Sequence, residues 1–213
     1  MDSRGVSVVS ATWKERETLP LLIHGIRQAL RNIRHEVIIV DDASPDGTHA
    51  LAMKLADKAI CKEREGQSIA LLTGITEASY PIVVTIDADL ENDPANIPRL
   101  LEALKEGYDL VVAVRPKLPR CSERLFSATI GKRLGIRDVL SNFRAMHKDK
   151  VKEICLEHSE TFGAEFLICA FRLGLRIGQV DVAETPKRRR PRIGGTLVAN
   201  LRILKALLVC LIM

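Results

Sequence analysis

The chain has 213 residues, enough for one compact domain with a core of its own. Hydrophobic residues make up 46% and charged residues 28%, an ordinary globular balance, while aromatics reach only 4%, too few for a platform that stacks single-stranded nucleic acid. The net charge of +5 is unevenly spread, with −6 in residues 1–110 and +11 in residues 111–213, so groups suited to a divalent cation precede groups suited to phosphate or an anionic surface.

Val6–Ser10 reads as a strand that begins almost at once, with no signal-peptide core before it. Leu19, Leu22, Ile23, Ile26 and Leu30 recur at helical spacing. Glu36–Val40 is an apolar run ending in Asp41-Asp42, as expected of a parallel strand buried on both faces. Ser44-Pro45 has the chemistry of a helix start. A short strand near Ala59–Cys61, a helix through Ala70–Ala78, a strand Ile82–Ile86, a helix from Asp93-Pro94 to Lys105 and a strand Leu110–Val114 follow. This order predicts an α/β fold: a doubly wound, mainly parallel sheet with helices on both faces.

The second half is less regular. Helices are expected at Glu123–Leu134, Asp149–Glu157 and Ala164–Leu173, with short strands at Phe143–Met146 and Arg176–Val182. Lys187–Arg192 holds five basic residues among six and ends at Gly194-Gly195. Three readings of it stand: a loop closing on diphosphate, a contact with anionic headgroups, or a solvated loop. A terminal helix follows, with Leu197, Leu201, Leu204, Leu208 and Leu211 on one stripe, facing either a membrane surface or a core or dimer contact. No apolar run reaches the ~20 residues that span a bilayer. The five cysteines, Cys61, Cys121, Cys155, Cys169 and Cys210, form no CxxC pair and no zinc-type spacing, which suits free thiols in a reducing compartment. One domain covers residues 1–213, with an acidic half to residue 115, a basic half from 116 to 195 and the terminal helix from 196.

Two acidic clusters carry the chemistry. Asp41-Asp42 lies in VIIVDDASPDGT, and Asp87-Ala88-Asp89, with Glu91 beyond, lies in VVTIDADLEND. Both fall at the carboxyl ends of expected parallel strands, where open α/β sheets bind ligands. Alternate carboxylates at such an edge suit Mg²⁺ or Mn²⁺, hard cations that take oxygen ligands and keep part of their shell for phosphate. In a diphosphate-releasing reaction such a cation absorbs the developing charge.

The segments VSVVSATWKERETLPLL, EVIIVDDASPDGT and IDADLENDPANIPRLLEAL resemble family 2 of the inverting glycosyltransferases, which have the GT-A fold, and within it the polyprenyl-phosphate sugar synthases. The resemblance is strong over residues 5–115 and continues more weakly to about 195 through DVLSNFRAM, FGAEFLICAFRLGLRIGQVDV and RPRIGG. It implies a nucleotide-sugar donor, with Ala11, Trp13, Glu15, Asp42 and Asp87 on the nucleotide, and Asp87, Asp89 and Glu91 on the metal. Asp89, Asp138 and Arg115 are the catalytic candidates, with Asp138 as the base if the acceptor is a hydroxyl. Arg115, Arg124 and Arg144 are expected to converge on an acceptor phosphate, with Arg192 added from the basic run. A polyprenyl (dolichyl) phosphate acceptor implies a cytoplasmic protein held peripherally at the inner face of the membrane, with no nucleic acid partner and with a homodimer as an option. A sugar or other soluble acceptor, or a non-catalytic nucleotide-sugar-binding scaffold, is the alternative. The chain departs from the family where Ala11-Thr12-Trp13-Lys14-Glu15 replaces Pro-Thr-Tyr-Asn-Glu, where Arg64-Glu65-Gly66-Gln67-Ser68 replaces a Gly/Lys-rich segment, where Asn142 replaces a Gly, and where Leu197-Val198 replace Ser-Lys. Trp13 is read either as a stacking partner for a base or as core. Glu165 matches a recurrent family glutamate, and a helix-packing role fits it as well.

Overall fold

The computed structural model describes residues 5–118, 120–158, 163–183 and 196–212. In the first half strands and helices alternate: β1 (Val6–Thr12), α1 (Leu19–Ala29), β2 (His35–Asp41), α2 (Thr48–Leu55), β3 (Lys58–Cys61), α3 (Gln67–Glu77), β4 (Ile82–Thr85), α4 (Ile97–Lys105) and β5 (Leu110–Val114). The second half adds α5 (Cys121–Phe126), which runs through a π-helical turn into α6 (Lys132–Leu134), then β6 (Arg144–His147), α7 (Lys148–Val151), α8 (Ala164–Arg172), β7 (Ile177–Asp181) and α9 (Thr196–Ile212). The seven strands form one sheet in the order β3-β2-β1-β4-β6-β5-β7. Successive side chains of a strand point to opposite faces, and both faces are covered. Val9, Ile38, Val40, Val83 and Val112 enter one core with α3, α8 and α9. Val8, Val37, Ile39, Val84 and Val111 enter the other with α1 and α4. That double burial is why these strands read as unbroken apolar runs.

The expected doubly wound sheet is present with one insertion. β1 pairs in parallel with β2 and β4, whereas β6 lies antiparallel between β4 and β5. β5 ends and β6 begins at the carboxyl edge, so the chain re-enters the sheet from that edge and runs backwards. This detour carries Asp138, Asn142 and Arg144 to the same edge as the acidic clusters. The strand order reverses at β1, whose neighbours β2 and β4 lead away on opposite sides, and an open sheet forms its binding crevice at such a point.

Two expected helices change. Ser44-Pro45 does not start α2: Gly47, at φ +83°, takes the cap position, while Ser44 donates from its Oγ and N to Asp41 at 2.6 and 2.8 Å. The expected helix Asp149–Glu157 ends at Val151, and the buried Glu165 carboxylate accepts the Glu157 and His158 amides at 2.7 and 3.0 Å. Glu165 therefore anchors the segment ahead of its own helix. The basic run, Arg192 and the Gly194-Gly195 break lie outside the described residues.

Gly74 is where α3 comes closest to the sheet. A Cβ there would stand 2.2 Å from Val9 Cγ1 and 3.1 Å from Val40 Cγ2, and both valines are fixed in strands. Gly74→Ala is therefore expected to destabilise the fold by about 1–3 kcal/mol through overpacking, despite alanine's better helix propensity. Urea unfolding measures this, and an unchanged or raised midpoint would show that α3 is free to shift.

Candidate functional site

The turns that follow β1, β2 and β4 each hold a non-glycine residue in the left-handed region: Lys14 at φ +59°, Ala43 at +58° and Leu90 at +64°. Such conformations cost energy and gather where a turn must aim a side chain. These three turns surround the crevice at the strand-order reversal. Its cavity, about 250 Å³ in volume, is lined by Ala11, Thr12, Trp13, Glu15, Asp42, Gln67, Asp87, Ala88 and Asp89. All five residues expected on the nucleotide therefore face one space. A second cavity of about 170 Å³ is lined by Gln67, Asp87, Glu91, Asn92, Arg115, Arg120, Glu123, Leu140, Ser141, Asn142 and Ile203. Gln67 and Asp87 belong to both, so the two cavities meet at the Asp87 carboxylate.

Within the first cavity the side chains are held tightly. Asp42 is 6% exposed and accepts the Glu65 amide at 2.9 Å and the Gly66 amide at 3.0 Å, with Lys62 Nζ at 3.6 Å. Its carboxylate thus pins the loop that enters α3. Glu15 accepts the Thr18 hydroxyl at 2.6 Å. Trp13 belongs to neither core; the Arg64 guanidinium lies 3.9 Å from its ring centre and the Lys14 ammonium 4.6 Å. This answers the core reading of Trp13: it is a cavity wall, and its cation contacts are of attractive type.

Asp87 accepts from Gln67 Nε2 at 2.5 Å. Its own burial, then the nearby Asp89, push its pKa up to about 7 against the pull of Arg144 and Arg115. Negative charge at this point is therefore costly unless a cation offsets it. Asp89 is exposed and accepts the Glu91 amide at 3.0 Å. The structure divides the expected metal trio: Asp87 and Asp89 line the first cavity, while Glu91, beyond the Leu90 turn, lines the second. The three sets of ligand atoms do not all lie within 4.8 Å of one another.

Arg115 donates to both oxygens of Asp138, from Nε at 2.6 Å and Nη2 at 3.1 Å. Burial acts to lower its pKa, but Asp138 and then Glu123 outweigh it and hold the guanidinium above its ordinary value. Asp138 is 1% exposed, holds this fork with one lone pair of each oxygen and lines neither cavity, which leaves it poorly placed as a general base. The expected convergence of three arginines does not occur. Arg144 is 3% exposed and donates to the carbonyls of Ser141 and Gly163 at 2.8 and 3.0 Å; burial lowers its pKa to about 10, with Asp87 and Asp138 opposing. It braces the floor as a buried charge. Arg124 is exposed and reaches Cys121 Sγ at 3.1 Å, and it lines neither cavity. Arg120, which sequence reasoning passed over, lines the second cavity and pairs with Glu123 at 2.6 Å. Gln67 and Arg64 were also missed, because the segment that holds them departs from the family's Gly/Lys-rich pattern.

The terminal stripe faces outward at Leu201, Leu208 and Leu211, with Leu204 half-buried and the Leu197 side chain outside the described residues. Ala199, Ile203, Ala206, Leu207 and Cys210 of α9 are buried, whereas Leu201, Leu208 and Leu211 are 58%, 63% and 54% exposed. Ser122 of α5 ties to Asn200 of α9 at 2.5 Å. Among the described residues no helix is long and apolar enough to cross a membrane.

A mixed sheet with its cavity at the strand-order reversal, walled by carboxylates, defines the GT-A class of fold. The chain belongs to glycosyl transferase family 2, whose model matches residues 7–173. It is 40% identical over 115 residues to a dolichol-phosphate mannosyltransferase of Pyrococcus furiosus, a match covering 52% of this chain and 33% of the relative. It is 38% identical over 123 residues to an undecaprenyl-phosphate 4-deoxy-4-formamido-L-arabinose transferase of Pectobacterium carotovorum, covering 54% of this chain and 38% of that protein. The matches thus span only 33% and 38% of these relatives. Among solved structures, glucosyl-3-phosphoglycerate synthase from Mycobacterium tuberculosis with phosphoglyceric acid superposes with a TM-score of 0.80 at 26% identity, over 97% of this chain and 79% of that one. The same enzyme with Mn²⁺, uridine diphosphate and glucosyl-3-phosphoglycerate gives a TM-score of 0.79 at 25% identity, with the same coverage.

Proposed function

We propose that this chain is an inverting glycosyltransferase that moves a sugar from a metal-bound nucleotide-sugar to a polyprenyl phosphate at the cytoplasmic membrane face. The observation that carries this reading is the meeting of the two cavities at Asp87: carboxylates and an aromatic wall on one side, guanidinium groups on the other. The nucleotide lies along Ala11, Trp13, Glu15 and Asp42. Asp87 and Asp89 supply hard oxygen donors that fit Mg²⁺ or Mn²⁺, and Glu91 acts from the second cavity. Bound there, the cation would stabilise charge on the departing diphosphate. Gln67 holds the Asp87 carboxylate in place.

Arg115 has five N–H donors and gives two to Asp138, so a guanidinium that lines the second cavity keeps donors to spare. Arg120 stands beside it. An acceptor phosphate is already anionic near neutral pH and needs no strong base, which agrees with Asp138 being occupied. Ile203 of α9 lines this cavity, so the acceptor site opens beside the helix whose outer face exposes Leu201, Leu208 and Leu211 together with Arg202 and Lys205. That face supports seating the protein on a bilayer surface.

The mycobacterial synthase, bound to phosphoglyceric acid in its solved structure, supports a second reading in which the acceptor is a soluble phosphorylated acid. A panel of GDP- and UDP-sugars with Mn²⁺, offered with polyprenyl phosphate in vesicles or with phosphoglycerate in solution, separates the two. Product only in the soluble arm favours the second reading, and binding without any transfer favours a non-catalytic role.

The membrane part has its own test. Because α9 is also part of the core, deleting it would unfold the chain, so its exposed face is substituted instead. Leu201→Gln, Leu208→Gln and Leu211→Gln together are expected to weaken binding to anionic vesicles by about 100-fold, at about 1 kcal/mol for each half-inserted leucine. Flotation at low salt measures this, and equal flotation of variant and native chain would detach α9 from the membrane reading.

A further inference from the structure

We propose that Asp41, His49 and Cys61 form a second cation site, separate from the sugar-transfer centre and selective for a zinc-class ion. β2 and β3 run in parallel with Asp41 directly beside Cys61, so both side chains leave the same face of the sheet. α2 packs on these two strands and carries His49 in its first turn. A ring nitrogen of His49, a carboxylate oxygen of Asp41 and the Cys61 sulfur all lie within 4.8 Å of one another, the one such trio of ligating side chains among the described residues.

Two further observations point to a ligand. His49 Nδ1 is buried and has no hydrogen-bond partner among the described residues, and a buried polar atom left in that state calls for a partner. Asp41 has an oxygen to offer. Its Oδ1 accepts Thr12 Oγ1 at 3.0 Å and Ser44 Oγ at 2.6 Å, while Oδ2 accepts the Ser44 amide at 2.8 Å. These bonds aim the carboxylate and leave Oδ2 a lone pair.

The donor set is one nitrogen, one sulfur and one oxygen. It suits Zn²⁺ or Co²⁺ and not the hard cation of the Asp87–Asp89 edge. Zn–S near 2.3 Å and Zn–N near 2.0–2.1 Å place ligand atoms under about 4 Å apart, so side-chain rotations of order 1 Å close the trio. Cys61 is at the surface, which leaves the fourth position to water. An ion here would tie the ends of β2 and β3 to α2. It would also stiffen the wall that carries Asp42, since Lys62 follows Cys61 and pairs with Asp42 at 3.6 Å.

The test uses Co²⁺ alone as the probe on the whole chain. Titration should produce a thiolate-to-cobalt absorption band that saturates at one ion per chain and is displaced by Zn²⁺. The band should persist in Asp89→Ala and in Cys121→Ser, and be lost in Cys61→Ser and in His49→Ala, with circular dichroism confirming that each variant is folded. Zn²⁺ should raise the thermal midpoint of the native chain but not of Cys61→Ser. Absence of the band overturns the proposal, as does a band that survives either Cys61→Ser or His49→Ala.

Discussion

Asp89→Ala is expected to lower sugar transfer by about 10²–10³-fold, the scale lost when a group that stabilises transition-state charge is removed. The fold should hardly notice. Asp89 is exposed, and substitutions at such positions usually stay within about ±0.5 kcal/mol. Removing it also relieves Asp87, whose carboxyl is pushed up to about 7 by burial and then by Asp89. Loss of activity would therefore report on the cation and not on unfolding. Calorimetry with the competent nucleotide-sugar should show a donor affinity that collapses both in the variant and in the native chain with chelator. Unchanged affinity in both would falsify the metal role of this pair.

Asp138→Ala should instead act on structure and acceptor together. It strips the nearer counter-charge from a guanidinium whose side chain is 23% exposed, leaving Glu123 at 4.0 Å. Breaking a fully buried pair costs about 3–5 kcal/mol; water reaching Arg115 reduces this to about 2–3 kcal/mol in urea unfolding. Asp138→Asn keeps one acceptor oxygen but restores no charge and sets an NH₂ against the second guanidinium donor, so it should recover only part of that stability. As a positioning residue, Asp138 should raise the acceptor KM in both variants while leaving the pH profile of kcat unchanged. A kcat that collapses in Asp138→Asn, with loss of the acidic limb of the profile, would instead make it the base.

The sequence by itself determined the alternation of strands and helices, the two-sided burial of the strands, and the placing of Asp42, Asp87 and Asp89 at strand ends. These are local properties: a strand's faces repeat every second residue, and a helix returns to the same face every third or fourth. Register and pairing partners are not local, and only the tertiary structure decided what depends on them. β6 turns antiparallel because the chain after β5 re-enters from the carboxyl edge. Arg144 goes to backbone carbonyls and Arg124 to solvent because β6 and α5 happen to orient them so. Leu201, Leu208 and Leu211 of α9 face out because alanines and Ile203 on the other side fit closer against α5 and α8. Gln67 meets Asp87 across twenty residues of sequence, and Asp41, His49 and Cys61 meet only through the pairing of β2 with β3. No period within either segment records such a meeting, because a contact between distant segments is specified by how the whole sheet is assembled.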